Sequence, residues 1–451
     1  MNINLTVRCN NCSNLTNCRV GMSNRDIQPL KFGCRNCGSL IGLDFKIKGG
    51  TGLDTKAIQA ILSGKLPGDM RLNQGVSYKI RGAKEVWIDG PFDPKFDFVD
   101  LHLDFPVKFG KYVMGRTPFL EASARSGAEK AEFHRNRLQL INYQFKKYPK
   151  VANLIRMYNR EFYGPFCKAA RMQFKVDVRS SRMEDINAAL YSVVSRFILP
   201  FTLPDDSSAI VNHYTEIITK LVQKHKAPTA AFLQNVFDTE FLLHLQRDCL
   251  NLYKPIFEAE LPLRPALFID VDPTYASGTM AMRVSSHDFE DYKEVYKDLA
   301  EVLSRQLVLV AGINNLIKRG DHNAFAKGVR VTRGGKDLAP SSLDKYADVS
   351  LGSKMMDLDD PWYSINLAAI DNELRNAIAH NKIEYNDITQ EIIYYPKLEG
   401  MSREKKVQIQ LLDYMWRMLN LFREVHRLHH LVKCLNYAIL IEPTASLIKR
   451  P

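Results

Sequence analysis

The 451-residue sequence predicts a multidomain α+β protein that is mostly α. A chain of this length exceeds what one hydrophobic core supports, so several domains are expected. Alternating apolar and polar residues, interrupted by Gly and Pro, predict strands up to about residue 115. Beyond Pro118 the apolar residues recur at helical spacing instead. We therefore expect small β domains first and helical domains after them.

Changes in composition and periodicity divide the chain into five predicted segments. Residues 1-45 are predicted to form a cysteine-rich ribbon, 46-115 a small β module, and 116-260 a helical middle domain. Residues 261-285, which are rich in Pro and Gly, are predicted to be a linker. Residues 286-451 are predicted to form a second helical domain that includes a β-hairpin.

Two Cys-x-x-Cys pairs lie near the N-terminus, Cys9 with Cys12 and Cys34 with Cys37, with 21 residues between the pairs. The short spacing lets both sulfurs of a pair reach one ion, and two such pairs make a tetrahedral zinc site. The flanking segments LTVRC and SLIGLDFKI have strand character. The sequence therefore predicts a zinc ribbon with a structural Zn²⁺, and no metal for catalysis because four thiolates leave no open position.

Cys18 offers an alternative ligand set in the same region. It either replaces Cys12 as a ligand or is a buried thiol, and the better spacing of Cys12 favours the thiol. Zinc would here substitute for a hydrophobic core in a segment too small to have one. Arg8, Lys31 and Arg35 are candidates for contact with nucleic acid or a partner.

Nucleotide hydrolysis is not expected from the glycine-rich stretches. The GGTG at 49–52 is not followed by the Gly-Lys-Ser/Thr of a phosphate-binding loop. In Arg333–Asp337 an aspartate takes the position of the magnesium-binding hydroxyl.

The net charge and the length of the apolar runs indicate which partners and which cellular location to expect. The 62 Lys and Arg against 50 Asp and Glu give +12 and a pI of about 9.1, a balance typical of proteins with phosphate-rich partners. The longest apolar run, Leu307–Ile313, is far short of the roughly 20 residues that span a bilayer. The N-terminus lacks the pattern of a signal peptide. We expect a cytoplasmic protein that does not enter a membrane.

The middle domain carries helical periodicity broken by prolines. Its predicted helices are Ala128–Tyr148, Asn153–Phe166, Met183–Leu199, Ala209–His225 and Ala230–Tyr253. One basic, aromatic face either lines a channel for single-stranded nucleic acid or is an ordinary solvated surface, the commoner case. Its members are His134, Arg135, Arg137, Tyr143, Lys146, Lys147 and Tyr148.

The C-terminal segment predicts three helices and a hairpin. Ser286-His287-Asp288 is a helix start, and the helix that follows ends at Gly320. After a polar loop, a helix is predicted over Trp362–Ala379. KIEYND and QEIIYYP predict a β-hairpin. A long final helix is predicted over Arg403–Leu440.

The helix over Trp362–Ala379 carries two different stripes. Its predicted core stripe comprises Leu367, Ile370, Leu374, Ala377 and Ile378, and its polar stripe comprises Asn372, Asn376 and His380. Asp371 and Arg375 are spaced to pair.

Arg375 and His380 are five residues apart, which is about 140° around an ideal helix. Both can face one phosphate only if the helix ends near His380 or a second copy completes the site. Asn381 is a candidate left-handed C-cap, which supports the first option.

The pattern Arg375-Asn376…His380, at the end of a helix in a predicted bundle, resembles the R-x4-H signature of the HEPN superfamily. The resemblance covers about Ser286–Leu440, and the hairpin and the long final helix agree with it. Many members of that superfamily are metal-independent ribonucleases of toxin, abortive-infection, CRISPR-effector and RNA-surveillance systems.

The resemblance implies a division of roles. Arg375 would clamp the scissile phosphate, His380 would act as general acid or base for attack by the 2′-hydroxyl, and Asn376 would position one of them or the substrate. Members of the superfamily usually pair their motifs, which implies a homodimer or a cleft shared with another such helix. Candidate RNA contacts are Asp371, Asn381, Lys382, Arg423 and Arg427.

One departure limits the transfer. Members that an antitoxin modifies have a tyrosine two residues after the histidine, whereas this chain has Lys382 there and Tyr385 five along, so that control is not expected.

His426, His429 and His430 span one turn, but no carboxylate or thiol is placed to complete a metal site, so a basic wall beside RNA is favoured. Cys167, Cys249 and Cys434 are isolated and predicted to be buried.

Two functions follow as expectations. The first is a metal-independent endoribonuclease of bacterial anti-phage defence by abortive infection, with N-terminal domains that sense a phage-derived trigger or hold RNA such as tRNA. The second is a non-catalytic RNA-binding or dimerisation protein built on a HEPN-like bundle.

Overall fold

The computed structural model describes residues 2–47, 76–88, 90–107, 109–110, 112–114, 117–272, 274, 283–286, 289–396 and 405–441. Within these residues the protein is mixed α+β, with three small sheets and a larger share of helix, as the sequence predicts. The GGTG stretch at 49–52 and the helix start at His287 and Asp288 lie outside the described residues.

The chain forms two compact units, each assembled from three separate segments. Unit 1 comprises Met1–Phe145, Ala259–Tyr292 and Lys382–Trp416. Unit 2 comprises Lys146–Glu258, Lys293–Asn381 and Arg417–Pro451. The five segments predicted from the sequence therefore do not coincide with the units, because both predicted helical domains contribute to each of them.

The described strands all belong to unit 1. They are β1 (Asn2–Cys9), β2 (Leu15–Gly21), β3 (Ile27–Gly33), β4 (Leu40–Ile47), β5 (Val76–Arg81), β6 (Ala83–Val86), β7 (Asp97–Leu101), β8 (Phe109–Gly110), β9 (Ile383–Asn386), β10 (Glu391–Tyr394) and β11 (Val407–Gln410). The three sheets have the orders β6-β1-β2-β7-β8, β3-β4-β5 and β11-β10-β9.

The predicted ribbon and the predicted β module share both N-terminal sheets. β1 pairs antiparallel with β2 and β6, β2 pairs in parallel with β7, and β4 pairs antiparallel with β3 and β5. One apolar cluster contains side chains from both segments, among them Val7, Phe32, Ile41 and Val99, which are almost fully buried. The two predicted segments therefore fold around a common core.

The described helices are α1 (Pro118–Ser126), α2 (Ala128–Gln144), α3 (Tyr148–Asn159), α4 (Tyr163–Phe174), α5 (Met183–Thr202), α6 (Ser207–Lys224), α7 (Lys226–Asp238), α8 (Phe241–Asn251), α9 (Tyr253–Glu258), α10 (Glu260–Ile269), α11 (Lys293–Arg319), α12 (Leu343–Ala347), α13 (Leu351–Asp357), α14 (Asn372–Ala379) and α15 (Leu411–Leu440). Helices α1, α2 and α10 lie in unit 1, α15 begins there, and the others lie in unit 2.

A buried helix occupies the start of the predicted linker. Arg264 in α10 is fully buried and donates to Asp104 at 2.7 Å and to Glu260 at 2.8 Å. Arg25 pairs with the other oxygen of Glu260 at 2.9 Å. The prolines suggest a linker, yet Pro262 lies in the first turn of α10, where a backbone N–H has no intrahelical acceptor. This segment is thus part of the core of unit 1.

The C-terminal elements match the prediction in type and differ in length. α11 ends at Arg319, and Gly320 adopts φ +69° as a glycine stop requires. The hairpin is confirmed as β9 and β10, with β11 added to it. The final helix begins at Leu411, since β11 occupies the preceding residues; residues 397–404 lie outside the described part.

The helix predicted over Trp362–Ala379 is the short α14, preceded by a 3-10 turn at Leu367–Ala369. Asp371, in an extended conformation, separates the turn from the helix. As a result the predicted core stripe is only partly correct: Leu374, Ala377 and Ile378 are buried, but Leu367 is 67% exposed.

None of the described helices is by itself long and apolar enough to cross a membrane. α5 and α6 meet that criterion only when taken together, with a bend of 117° between them.

The basic face predicted for the middle domain is interrupted by burial. His134, Arg137 and Tyr148 are buried, and Arg137 pairs with Asp270 at 2.7 Å. His134 lies between the rings of Phe105 and Phe268, and within the described residues neither of its ring nitrogens has a hydrogen-bond partner. These three residues therefore do not contribute to an exposed basic face.

Buried neutral histidines should make unit 1 sensitive to acid. Burial lowers the pKa of His134 to about 3 and that of His102 to about 4. The unfolded chain, with histidine pKa values near 6.5, binds protons that the folded chain does not, so stability falls as the pH drops below about 6.5. His134→Phe removes one such group and fills the same aromatic site. Between pH 7.5 and pH 5, we expect the free energy of unfolding to fall by about 2 kcal/mol less in this variant than in wild type. Chemical unfolding at the two pH values measures the difference.

The exposed Trp87 provides the control, since Trp87→Phe changes an aromatic residue of unit 1 without changing any titratable group. This account would be contradicted if acidification lowered the free energy of unfolding of His134→Phe as much as that of wild type.

Candidate functional sites

The four predicted cysteine ligands meet at the tips of two hairpins. Cys9 and Cys12 lie at the β1–β2 turn, and Cys34 and Cys37 lie at the β3–β4 turn. Their sulfur atoms all lie within 4.8 Å of one another, with 3.7 Å between Cys9 and Cys37 and 3.6 Å between Cys12 and Cys34. Four thiols at these separations can surround one metal ion.

The two turns repeat one backbone design. In the first turn, the N–H of Ser13 donates to the carbonyl of Cys9 at 3.0 Å, and Ser13 adopts φ +60°. In the second turn, the N–H of Gly38 donates to the carbonyl of Cys34 at 2.8 Å, and Gly38 adopts φ +74°. The left-handed residue closes each turn so that both sulfurs of a pair point to one side. A glycine at position 38 indicates a left-handed backbone conformation, whereas a serine at position 13 does not.

The sulfur atoms lie in different electrostatic environments. Hydrogen bonds to Ser39 lower the pKa of Cys37 to about 6, and a hydrogen bond to Asn36 lowers that of Cys12. Burial raises the pKa of Cys34 to about 12. The turns therefore stabilise the thiolates of Cys12 and Cys37, whereas burial favours the protonated thiol of Cys34.

Cys18 lies outside the cluster. It is fully buried in the β core, and its thiol points to the carbonyl of Thr16 at 3.8 Å. Burial raises its pKa strongly, as expected for an apolar thiol. The structure thus favours Cys12 over Cys18 as the fourth ligand.

The second candidate site is the end of α14. Asp371 is its N-cap and accepts from the N–H of Leu374 at 2.9 Å. The same carboxylate accepts from Arg417 of α15 at 2.6 Å, and the N–H of Asp371 donates to Tyr296 of α11 at 3.0 Å. Helices α11 and α15 therefore fix the start of this short helix.

Arg375 is held by its neighbours on the solvent side of α14. It donates to the side-chain oxygen of Asn376 at 2.9 Å and pairs with Glu301 of α11. Its side chain is 30% exposed and therefore remains partly accessible to solvent. Sequence reasoning missed Glu301, because 74 residues separate it from Arg375 and only the packing of α11 on α14 brings them together.

His380 stands at the C-terminal end of the same helix. Its N–H closes the last turn on Asn376 at 3.0 Å, and Asn381 adopts φ +52°, so the predicted left-handed cap is confirmed. The imidazole is exposed. Because α14 ends at Ala379, the first of the two conditions for Arg375 and His380 to serve one phosphate is met.

The candidate RNA contacts fall into two groups. Asn381 is exposed and Lys382 is partly exposed. Asp371 is engaged as the helix cap described above. Arg423 is buried and donates to the carbonyl of Phe201 at 2.9 Å, which makes it a packing residue. Arg427 pairs with Glu424 at 2.7 Å and lies over the ring of Tyr363.

The histidines of α15 are internal, which corrects the expectation of a basic wall. His426, His429 and His430 are all at most 5% exposed, and burial lowers the pKa of each. The hydroxyl of Tyr253 lies 2.9 Å from Nδ1 of both His426 and His429. One hydroxyl can donate to one ring and accept from the other, so this arrangement holds two neutral imidazoles in different tautomers.

No protein-family model, curated protein or solved structure matches this chain.

Proposed function

We propose that the protein is a metal-independent endoribonuclease that cleaves RNA by attack of the 2′-hydroxyl on the adjacent phosphate. The observation that carries the proposal is that the partly exposed Arg375 and Asn376 and the exposed His380 lie within six residues of one another on one short, capped helix. This agrees with the R-x4-H signature of the HEPN superfamily.

The residues have chemically suitable roles. The guanidinium of Arg375 would bind the scissile phosphate and stabilise its developing charge, and Asn376 would orient the guanidinium through the bond that it accepts. Cleavage needs one proton removed from the 2′-oxygen and one delivered to the departing 5′-oxygen. A single imidazole performs one of these transfers at a time, so a homodimer that brings two copies of His380 together would supply both. The products are a 2′,3′-cyclic phosphate and a 5′-hydroxyl.

For the cysteine cluster we propose a structural Zn²⁺ bound by Cys9, Cys12, Cys34 and Cys37. Four thiolates on two turns are the donor set that zinc prefers, and they leave no coordination position for substrate. Zinc would stabilise unit 1 and take no part in RNA cleavage.

The proposed biological setting rests on the resemblance to the HEPN superfamily alone. An intracellular ribonuclease that acts broadly on RNA must be held inactive until required. We place the protein among bacterial abortive-infection effectors, with a phage-derived trigger and tRNA as a candidate substrate.

The second candidate is a non-catalytic RNA-binding or dimerisation protein. The pairing of Arg375 with Glu301 favours it, because a guanidinium already neutralised by a carboxylate is a weaker phosphate ligand.

The test uses a short RNA and a matched RNA carrying one 2′-deoxynucleotide at the mapped cleavage position. We expect the purified protein to cut the first RNA in the presence of EDTA, leaving a cyclic phosphate, and to spare the second at that position. Cleavage of both RNAs, or cleavage that EDTA abolishes, would exclude the proposed chemistry. RNA that is bound but not cut would favour the second candidate.

A further inference from the structure

A cavity of about 710 Å³ opens into the helical unit 2, among α3, α5, α7, α8 and the C-terminal part of α15. Its walls are largely apolar and include Val236, Leu242, Leu243 and Ile439. Cavities of this size, apolar with a few polar groups, are typical of small-molecule sites. It is separate from the residues assigned to RNA cleavage.

A chain of polar side chains forms part of the cavity lining. The hydroxyl of Tyr158 donates to the side-chain oxygen of Asn187 at 2.6 Å. The amide of Gln246 donates to the same hydroxyl, and the amide of Asn436 donates to the side-chain oxygen of Gln246. Tyr158, Asn187 and Gln246 are each at most 4% exposed, so most of this chain lies in the protein interior.

Both ends of this chain retain unused hydrogen-bonding capacity. Within the described residues, the amide nitrogen of Asn187 and the amide oxygen of Asn436 have no hydrogen-bond partner. Neither atom is among the polar atoms of the described residues that are both fully enclosed and without a hydrogen-bond partner. Both residues line the cavity, so these atoms can bind a ligand there.

The two ends always have opposite character. A hydrogen-bond chain runs in one direction, so one terminal amide offers a donor and the other offers an acceptor. If all the amide groups are turned over and the tyrosine hydroxyl reverses, Asn187 becomes the acceptor and Asn436 the donor. A ligand that has both a donor and an acceptor can therefore bind at an end of the chain whichever way the amides are oriented.

The charges around the cavity argue against an anionic ligand. Asp238 and Glu240 are the charged residues of the described lining, and both are exposed. A carboxylate or phosphate would meet these negative charges and find no cation among the described lining residues.

We propose that this cavity binds a small uncharged molecule that has an apolar body and an amide, lactam or imide group. The N–H of that group donates to the end of the Asn187–Tyr158–Gln246–Asn436 chain that carries the free acceptor, and the apolar body packs on the leucine and isoleucine walls.

The test uses 2-quinolinone, a flat lactam with an apolar ring, and 1-methyl-2-quinolinone, which lacks the N–H donor. Saturation-transfer NMR titrations with the full-length protein measure both affinities. We expect 2-quinolinone to bind and the methylated probe to bind about 2- to 10-fold more weakly, the effect of one net hydrogen bond. Leu243→Arg, at the partly exposed wall, should abolish binding of both probes, while Met172→Arg on the exposed face of α4 should not.

Asn436→Leu isolates the polar contribution, since Asn436 is only partly buried and sits at the end of the chain. It should reduce binding of 2-quinolinone and bring the two affinities together. Equal binding of both probes to wild type, no binding of 2-quinolinone at millimolar concentration, or unchanged binding in Leu243→Arg would each overturn the proposal. None of these results depends on RNA cleavage.

Discussion

Replacing His380 with alanine is expected to reduce RNA cleavage by at least about 100-fold, because positioned proton transfer contributes 10²- to 10⁴-fold in enzymes of this type. Arg375→Ala should lower the rate by a similar factor, since it removes the charge that stabilises the phosphorane-like transition state. The cleavage rate of Arg375→Lys should lie between those of wild type and Arg375→Ala, because lysine keeps the charge but loses the two parallel donors. Initial rates on one defined RNA give the comparison.

The two residues are proposed to act together, so the double variant should be little slower than either single variant. His244→Ala and Arg156→Ala, which change exposed residues elsewhere in unit 2, serve as controls. The exposed pair of Arg375 with Glu301 contributes about 1 kcal/mol at most to folding, so the variants should unfold at nearly the wild-type temperature. Cleavage within threefold of wild type in both single variants would rule out the assigned roles.

Loss of a cysteine ligand is expected to unfold unit 1. Structural zinc in small domains contributes about 10–16 kcal/mol, as much as the entire stability of a typical protein. Cys12→Ser should therefore lower the bound zinc from one ion per chain to nearly none and expose the β core to proteolysis. Elemental analysis and limited proteolysis measure the two effects.

Two other cysteines provide matched controls. Cys18→Ala deletes a buried thiol in the same core without touching the cluster, and Cys167→Ser changes a partly buried cysteine in unit 2. Both should retain one zinc per chain. Wild-type protein that is purified without chelators and carries no metal would refute the zinc assignment.

Local patterns in the sequence predict the type of many elements and the four cysteines that cluster. The Cys-x-x-Cys spacing predicts the ligand set, and the Asn381 cap predicts where α14 ends, because both depend on neighbours along the chain. The start of α14 is not predictable in this way. Asp371 looks like a helical partner for Arg375, and its role as N-cap depends on Tyr296 and Arg417, which come from distant segments.

Charged and aromatic residues misled the sequence reasoning for a related physical reason. Arg264, His134 and His429 are polar types that usually face solvent, so their segments suggest a linker or a basic surface. Each is buried because a specific partner or aromatic neighbour from another segment compensates it, such as Asp104 for Arg264 and Tyr253 for His429. A single sequence does not reveal such partners.

β5, β6 and β7 cover strand edges that would otherwise be open to other chains. A fragment that ends near residue 45 keeps the β1–β2 and β3–β4 hairpins but loses the strands that flank them. Isolated two-stranded hairpins are only marginally stable, and open edges with free N–H and C=O groups recruit strands from neighbouring molecules. The cysteine-bearing region is therefore not an autonomous module that can be transplanted, and on its own it would tend to self-associate and aggregate.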